Sequence, residues 1–281
     1  MGLGFYLTQP FAQHALAAGT LIALVSGLIG PFVITRNMAF AVHGTAELSF
    51  TGAAAGLLVA GDPVAGALAG SLVVAAPIGL LGARQRERDS AIGVILAFGL
   101  GLGVYLLSLY RGFATAATNI LFGQIFGIST TQLVLLLAVA AAVLAAMAVL
   151  YRPLLFASVD PDVAQARGVP TRALGTCFLF VLALTVTEAA QIVGTLLVLS
   201  LAITPAAAAL RLSARPAVVT GLSVLFALLA ADGGLLASLA SNTVKASVFV
   251  TAISFAIYLA ARLGSAGLRS SRRRTALAPA P

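Results

Sequence analysis

Apolar runs, each close to the roughly 20 residues that a helix needs to cross a bilayer, follow one another along this chain. Hydrophobic residues make up 60% of the 281 positions and charged residues only 9%, whereas a soluble domain carries about a quarter charged residues. The mean hydropathy is +1.09. The sequence therefore predicts an all-α integral membrane protein with many membrane-spanning helices.

The runs predict a bundle of eight or nine transmembrane helices. The count stays open because two short runs meet near Gln191 and are compatible with one bent element. The predicted spans are 11–34, 40–61, 63–83, 91–110, 132–151, 173–188, 191–210, 217–240 and 243–263. Residues 1–263 thus form one transmembrane domain. Residues 264–281, which contain Gly, Ser, Arg and Ala-Pro repeats, are expected to be a disordered tail near anionic lipid headgroups.

The distribution of basic residues predicts the orientation of the chain. All but Arg111 and Lys245 of the sixteen Lys and Arg residues fall in alternate loops or in the C-terminal tail. Such an excess marks the cytoplasmic side. The segment 152–172 and the C-terminus are therefore predicted to be cytoplasmic. The arginines are scattered over every inner loop, so the net charge of +8 does not indicate nucleic-acid binding.

Small residues predict close helix contacts at two places. Gly52 and Gly56 form one GxxxG pair, and Gly66 and Gly70 form another after the Gly61-Asp62-Pro63 turn. Cys177 is the single cysteine and lies in an apolar run, which predicts a packed thiol.

Four ionisable residues inside the apolar runs are candidates for a transport path, because a charge at mid-membrane costs about 2.5–3.5 kcal/mol or more. His43 and Glu47 are four residues apart and share a helix face, and an imidazole with a carboxylate is half of a site for zinc or manganese. A solvated His43 at the cytoplasmic end is the alternative. Glu188 is placed near an outer turn, where it is either wet or part of the path. Asp232 precedes two glycines and either caps a helix break or lines the path.

A polar insert between two apolar runs predicts a short capped helix. Asp160 is a good N-cap, Pro161 suits the first helical position and Asp162 complements the positive helix start. Gly168 is placed to end the helix in the left-handed conformation. A helix with so little core of its own predicts contact with a partner outside the membrane, with an ordinary cytoplasmic loop as the alternative.

Several catalytic patterns are missing from the sequence. It contains no Gly-rich phosphate loop with a lysine, no HExxH motif and no serine-nucleophile elbow. A membrane enzyme is therefore disfavoured, no tightly bound cofactor is expected, and energy from ATP would have to come from a partner.

Three motifs carry a family resemblance over almost the whole chain. They are Gly30–Phe40, the insert Asp160–Gly168 and Val193–Ala207, in the order and at the spacing of the family. The chain resembles the membrane-spanning permease subunits of bacterial zinc, manganese and iron ABC importers, a metal family called ABC-3.

The resemblance implies a permease in the cytoplasmic membrane of a bacterium that moves a divalent metal and does no covalent chemistry. It also implies that the insert is a coupling helix, with Asp160, Pro161, Asp162, Ala166 and Gly168 docking on an ATP-binding cassette ATPase. An extracytoplasmic metal-binding protein and a second permease subunit, expected to form a homodimer, are the further implied partners, in a lipid bilayer.

The chain departs from the family pattern after Phe40. Family members usually show Asp, three residues, His and then Pro-Gly, whereas this chain has His43, Glu47 and Thr51 before Gly52. Zinc is therefore not specified, and manganese or iron stays open. The alternatives are an ABC permease for a corrinoid or siderophore-type solute, and a proton-coupled secondary carrier that uses Glu47, Glu188 and Asp232 as relays.

Overall fold

The computed structural model describes residues 8–81, 85–110, 123, 125–194, 198–241 and 244–276. In these ranges every regular element is helical, as predicted. The α-helices are α1 (Pro10–Thr35), α2 (Ala39–Val59), α3 (Pro63–Leu81), α4 (Gln85–Leu109), α5 (Thr130–Val159), α6 (Pro161–Ala166), α7 (Thr171–Val193), α8 (Val198–Ala202), α9 (Thr204–Leu212), α10 (Pro216–Ser241) and α11 (Ala246–Ala276). A 3₁₀ turn, Ile125–Gly127, precedes α5.

Six stretches are long and apolar enough to cross a membrane by themselves, namely Pro10–Thr35, Asp89–Leu109, Thr130–Val159, Thr171–Ala190, Pro216–Ser241 and Ala246–Ser265. The apolar helical stretches Pro63–Ala76 and Val198–Leu212 are shorter. The predicted total of eight or nine spans therefore stays a prediction.

The helix α7 is straight up to Val193 and ends at Gly194, whose φ of 93° lies in the left-handed region. The next apolar run is divided into α8 and α9 by Ile203, with Pro205 in the first turn of α9. The two short runs that meet near Gln191 are thus separate elements. The division at Ile203 follows from Pro205, which has no N–H to continue the α8 hydrogen-bond ladder.

The helix α11 continues into the C-terminal segment that the sequence predicts to be a disordered tail, and the disorder itself stays a prediction. Residues 264–276 continue α11, and residues 277–281 lie outside the described part.

Close packing of small residues joins α2 to α3. The Gly61-Asp62-Pro63 turn has Gly61 at a φ of 70°, and the Asp62 side chain accepts a hydrogen bond from the Val64 N–H at 2.9 Å. Above this turn the backbones of Gly52 and Gly66 touch, and a Cβ on Gly56 would lie 2.6 Å from the Cα of Gly66. Both the predicted turn and the predicted GxxxG contact are confirmed.

The centre of the bundle is formed by α1, α2, α5, α7, α8 and α10. The helices α1 and α10 are antiparallel, since Gly19 packs beside Leu235 and Gly27 beside Val224. The helices α2 and α4 are parallel, since Gly44 packs beside Ile92 and Thr51 beside Gly103. These two contacts position the ionisable residues described next.

Candidate functional site

The polar pair on α2 lies in the first half of that helix. Glu47 is eight residues after the first residue of α2, or about 12 Å along the helix axis. Its side chain is only 5% exposed. His43 is half-buried one turn earlier on the same helix. The Nδ1 atom of His43 is buried and has no hydrogen-bond partner in the described part of the chain. His43 is thus partly exposed, and whether it is a ligand or a solvated residue at the helix start stays open.

Glu188 lies in the last third of α7 and is 2% exposed. Among the residues that the structure describes, neither carboxylate oxygen has a hydrogen-bond donor. The neighbouring Thr187 hydroxyl is also buried without a partner, whereas the Thr185 hydroxyl donates to the Val181 carbonyl at 2.9 Å. The expectation that Glu188 is wet is wrong, because α7 packs against α1, α2, α3 and α5 on several sides.

The helix α10 is continuous through Asp232, Gly233 and Gly234. The helix break that was one alternative for this position is therefore not formed in α10. The Thr20 hydroxyl of α1 lies 3.1 and 3.3 Å from the two carboxylate oxygens of Asp232. The same hydroxyl lies 2.8 Å from the Leu16 carbonyl, so one proton is shared between acceptors on two helices. Gly234 lets α10 pack closely against α11, because a Cβ at this position would lie only 2.6 Å from the backbone of Val250.

The four predicted path residues are not brought together at one point. His43 and Glu47 share α2, Glu188 is on α7, and Asp232 is on α10 with its hydrogen bond directed to α1. No three His, Cys, Asp or Glu side chains of the described residues are arranged as a metal-binding group. In this conformation the candidate path is therefore a set of separate polar positions along the bundle.

The short helix predicted for the polar insert is present as α6. It has the predicted N-cap at Asp160 and the predicted left-handed glycine at Gly168. The Asp160 carboxylate accepts a hydrogen bond from the Val163 N–H at 3.0 Å. At the other end, Gly168 has a φ of 82°, and its N–H donates to the Gln165 carbonyl at 3.0 Å. The Val169 N–H donates to the Ala164 carbonyl, also at 3.0 Å. This pair of bonds is the Schellman ending that glycine favours.

One apolar side chain anchors α6 to the bundle. Ala164 is fully buried in a small cluster with Ala157 of α5 and Leu174 of α7. The rest of the helix is exposed, including the predicted docking residues Asp160, Pro161, Asp162, Ala166 and Gly168. The helix α6 is therefore a capped element held by one buried residue, with the rest of its surface exposed.

Three polar residues at the helix contacts were missed or left without a role by the sequence reasoning. Thr20 carries no sequence signal for its contact with Asp232, because the two are 212 residues apart. The Thr51 hydroxyl, at the position where the family pattern has proline, donates to the Gly99 carbonyl of α4 at 2.7 Å. Asp89 was counted with a cytoplasmic loop, yet it begins the apolar stretch of α4 and is half-buried.

The fold and the site define a class of protein, a polytopic helical membrane permease with carboxylates in its apolar helices and a short capped helix between two of them. Within that class the chain belongs to the ABC 3 transport family, whose sequence pattern matches residues 8–264. It is a membrane permease component and not an enzyme.

Individual relatives agree with this assignment. The chain is 31% identical over 255 residues to the manganese transport system membrane protein MntC of Halalkalibacterium halodurans, covering 90% of this chain and 87% of the relative. It is 28% identical over 246 residues to the high-affinity zinc uptake system membrane protein ZnuB of Haemophilus influenzae, covering 87% and 94%. The solved structure of PsaBC from Streptococcus pneumoniae in complex with Fab matches with a TM-score of 0.82 at 27% identity, over 92% of this chain and 94% of that one.

Proposed function

We propose that this chain is the membrane-spanning subunit of an ABC importer that moves a divalent metal cation across the cytoplasmic membrane of a bacterium. The proposed cation is manganese or zinc, with iron as the alternative. The observation that carries the proposal is the family match across residues 8–264. One relative is named as part of a manganese system and another as part of a zinc system. These names support a metal as the solute but do not decide between manganese and zinc.

The transport cycle needs partners that this chain does not contain. A separate ATP-binding cassette ATPase drives the cycle, an extracytoplasmic metal-binding protein delivers the cation, and a second copy of the chain completes the path in a homodimer. The C-terminus and α6 lie on the cytoplasmic side. The excess of arginine in the predicted inner loops supports this orientation.

The exposed face of α6 docks on the ATPase. A helix that transmits movement between two discrete states has to be rigid and firmly ended. The Asp160 cap, the Gly168 ending and the buried Ala164 supply these properties. With Asp160, Pro161, Asp162, Ala166 and Gly168 exposed, a groove on the ATPase has direct access to the helix.

The decisive experiment for coupling is Gly168→Val in the assembled transporter. Valine is strained at a φ of 82°, so the end of α6 should distort, although no atom obstructs the side chain. We expect solute-stimulated ATPase activity to fall to the basal level and metal uptake to fail, while the metal-binding protein still binds its cation.

Gly61→Val is the matched control, since Gly61 also has a positive φ of 70° and no atom within 4 Å of its Cβ position, but lies in the α2–α3 turn on the opposite side. Gly168→Asn should restore coupling because asparagine tolerates the left-handed conformation. Normal stimulated ATPase activity and uptake in Gly168→Val would show that α6 is only a loop.

The metal path runs past His43, Glu47 and Glu188. Asp232 is the fourth position predicted from the sequence, but its hydrogen bond with Thr20 gives it a packing role, so it is the weakest of the four candidates. Carboxylate and imidazole groups offset the cost of dehydrating a divalent cation inside the membrane. The burial of Glu47 supports this role, and so do the buried Glu188 oxygens and His43 Nδ1 atom, which have no hydrogen-bond partner among the described residues and do little for the stability of the empty bundle.

Glu47→Gln tests the path directly. The change keeps the shape of the side chain and removes its charge, so we expect metal uptake to fall by at least tenfold while membrane insertion and ATPase assembly are unchanged. Asp62→Asn is the control, because it removes a carboxylate from the α2–α3 turn and retains the ability to cap. Uptake at the wild-type rate in Glu47→Gln would mean that the pair on α2 is structural.

A further inference from the structure

The turn between α1 and α2 has little freedom to move relative to either helix. Arg36 ends α1, and Asn37 takes the left-handed conformation with a φ of 53°. The Met38 N–H donates to the Val33 carbonyl at 2.8 Å, and the Met38 carbonyl accepts the first hydrogen bond of α2. Met38 is also only 2% exposed. A displacement of the end of α1 therefore displaces the start of α2, the helix that carries the polar pair.

Two side chains of α1 connect this turn to the first turns of α7. Phe32 and Arg36 are four residues apart and lie on one face of α1. The Phe32 ring meets the Phe178 ring edge-on, with the two ring centroids 6.0 Å apart. Closer to the start of α7, the Arg36 guanidinium lies against Gly175, where Nη2 is 3.4 Å from the position that a Gly175 Cβ would take. The end of α1 and the start of α7 are therefore in direct contact.

The start of α7 is in turn fixed to α6. Only residues 167–170 separate the two helices. The Val169 N–H donates to the Ala164 carbonyl at 3.0 Å, and the Ala164 side chain is fully buried in a cluster with Leu174. Leu174 directly precedes Gly175, which the Arg36 guanidinium covers. A displacement of α6 therefore moves the part of α7 that the α1 side chains contact.

A second aromatic contact connects α1 to α5, the helix that precedes α6. The Tyr151 ring meets the Phe32 ring at 89°, with the centroids 5.3 Å apart. The Tyr151 hydroxyl lies 3.1 Å from the Thr220 hydroxyl of α10. Because Thr220 donates to the Pro216 carbonyl at 3.0 Å, Tyr151 is the donor in this bond. Phe32, which is 3% exposed, therefore contacts both of the helices that α6 joins.

We propose that Arg36 is a positioning residue for coupling, which transmits the movement of α6 through the start of α7 to the polar pair on α2. The inference rests on the proposed docking of α6 on an ATPase. Phe32 holds α1 in its register on α5 and α7, and Arg36 extends the contact by one turn toward α6. Arginine suits this position because its planar guanidinium lies against a backbone that has no Cβ, and because it stays charged at every working pH.

The first test is Arg36→Ala in the assembled transporter, stimulated by the metal-binding protein loaded with the cation that the wild type moves. We expect the stimulated ATPase activity to fall about tenfold, which is within the range usual for coupling between two sites, and metal uptake to fall with it. The basal ATPase activity and the assembly of the subunits should stay normal. Arg36→Lys should keep part of the stimulation, because it retains the charge and most of the length.

Two substitutions at Gly175 test the same contact from α7. Gly175→Ala should couple normally, because its Cβ would lie at an ordinary contact distance of 3.4 Å from Arg36. Gly175→Leu extends into the space of the guanidinium and should lose stimulation as Arg36→Ala does. Both alanine and leucine are better helix formers than glycine, so α7 should still form. The double variant of Arg36→Ala with Gly175→Leu should be no worse than either single variant, because both remove one contact.

Arg211→Ala is the control for loss of charge, since Arg211 is exposed in the last turn of α9, and it should be stimulated normally. Normal stimulation in Arg36→Ala, an equal loss in Arg211→Ala, or additive losses in the double variant overturns the inference. If Arg36→Ala does not assemble, the two Gly175 variants decide. Gly168→Val separates this inference from the proposed function. If it uncouples while Arg36→Ala does not, α6 docks and its movement bypasses Arg36. If Gly168→Val couples normally, the docking of α6 is refuted and the inference fails with it.

Discussion

Glu188 and Asp232 are two carboxylates at similar distances from the first residues of their helices, but their surroundings differ. Glu188 is seventeen residues from the start of α7 and Asp232 sixteen from the start of α10, which is about 24–26 Å along either helix axis. Glu188 is 2% exposed and accepts no hydrogen bond from the described residues. Asp232 is more accessible and accepts one from Thr20 of the adjacent helix.

This difference separates two uses of a carboxylate inside a membrane protein. The contact between Asp232 and Thr20 connects α1 to α10 and therefore contributes to helix packing. Glu188 makes no such contact with the described residues, and a buried polar group without a partner lowers the stability of the fold. The proposed role of Glu188 on the cation path and the packing role of Asp232 therefore predict different effects of mutation.

The largest effect that this comparison predicts belongs to Glu188→Gln. We expect metal uptake to fall by at least tenfold, because the amide cannot offset the charge of a divalent cation, while expression and ATPase assembly remain normal. Metal uptake in proteoliposomes that contain the complete transporter is the measurement. Thr185→Val is the matched control one turn away, since the Thr185 hydroxyl is already satisfied by the Val181 carbonyl. Equal losses of uptake in both variants would point to damage to α7 rather than to a role for the carboxylate.

A smaller effect, on stability rather than on transport, is expected for Thr20→Val. The change removes the donor and leaves the Asp232 carboxylate without its hydrogen bond, and interhelical bonds of this kind are worth about 0.6–1.7 kcal/mol. The thermal unfolding temperature of the purified transporter should fall by a few degrees, with uptake per folded molecule close to that of the wild type. A transport defect as large as that of Glu188→Gln would contradict the distinction between the two carboxylates.

The smallest effect is expected for Asp232→Asn. An asparagine oxygen still accepts the hydrogen bond from Thr20, so stability should change by less than about 1 kcal/mol. Uptake should stay within about threefold of the wild type, because a charge at this position is not needed for packing. A tenfold or larger loss of uptake would instead place Asp232 on the metal path beside Glu188.

Local features of the fold were predictable wherever the residues that decide them are close together in sequence. The cap and the Schellman ending of α6 follow from Asp160 and Gly168, and the α2–α3 turn follows from Gly61, Asp62 and Pro63. The contact of Gly52 with Gly66 was predictable because the short turn brings the two glycine pairs together. In each case the interacting groups lie within a single helix or helical hairpin.

Predictions failed where the environment of a residue depends on distant helices. A wet Glu188 was one of two alternatives left open by its place near an outer turn, but the surrounding helices bury it. Cys177 was expected to be packed from its apolar neighbours, yet it is exposed on the surface of α7. An apolar run shows that a segment enters the membrane, but it does not show which side of the helix faces protein.

The sequence by itself thus determined the class of protein, most of the helical segments and the capped helix α6, because hydropathy and helix caps act over a few residues. Only the tertiary structure decided that Asp232 is bonded to Thr20, while Glu188 has no such bond among the described residues. The physical reason is that a side chain in an apolar helix has no water to satisfy it, so its role depends on the neighbouring helices.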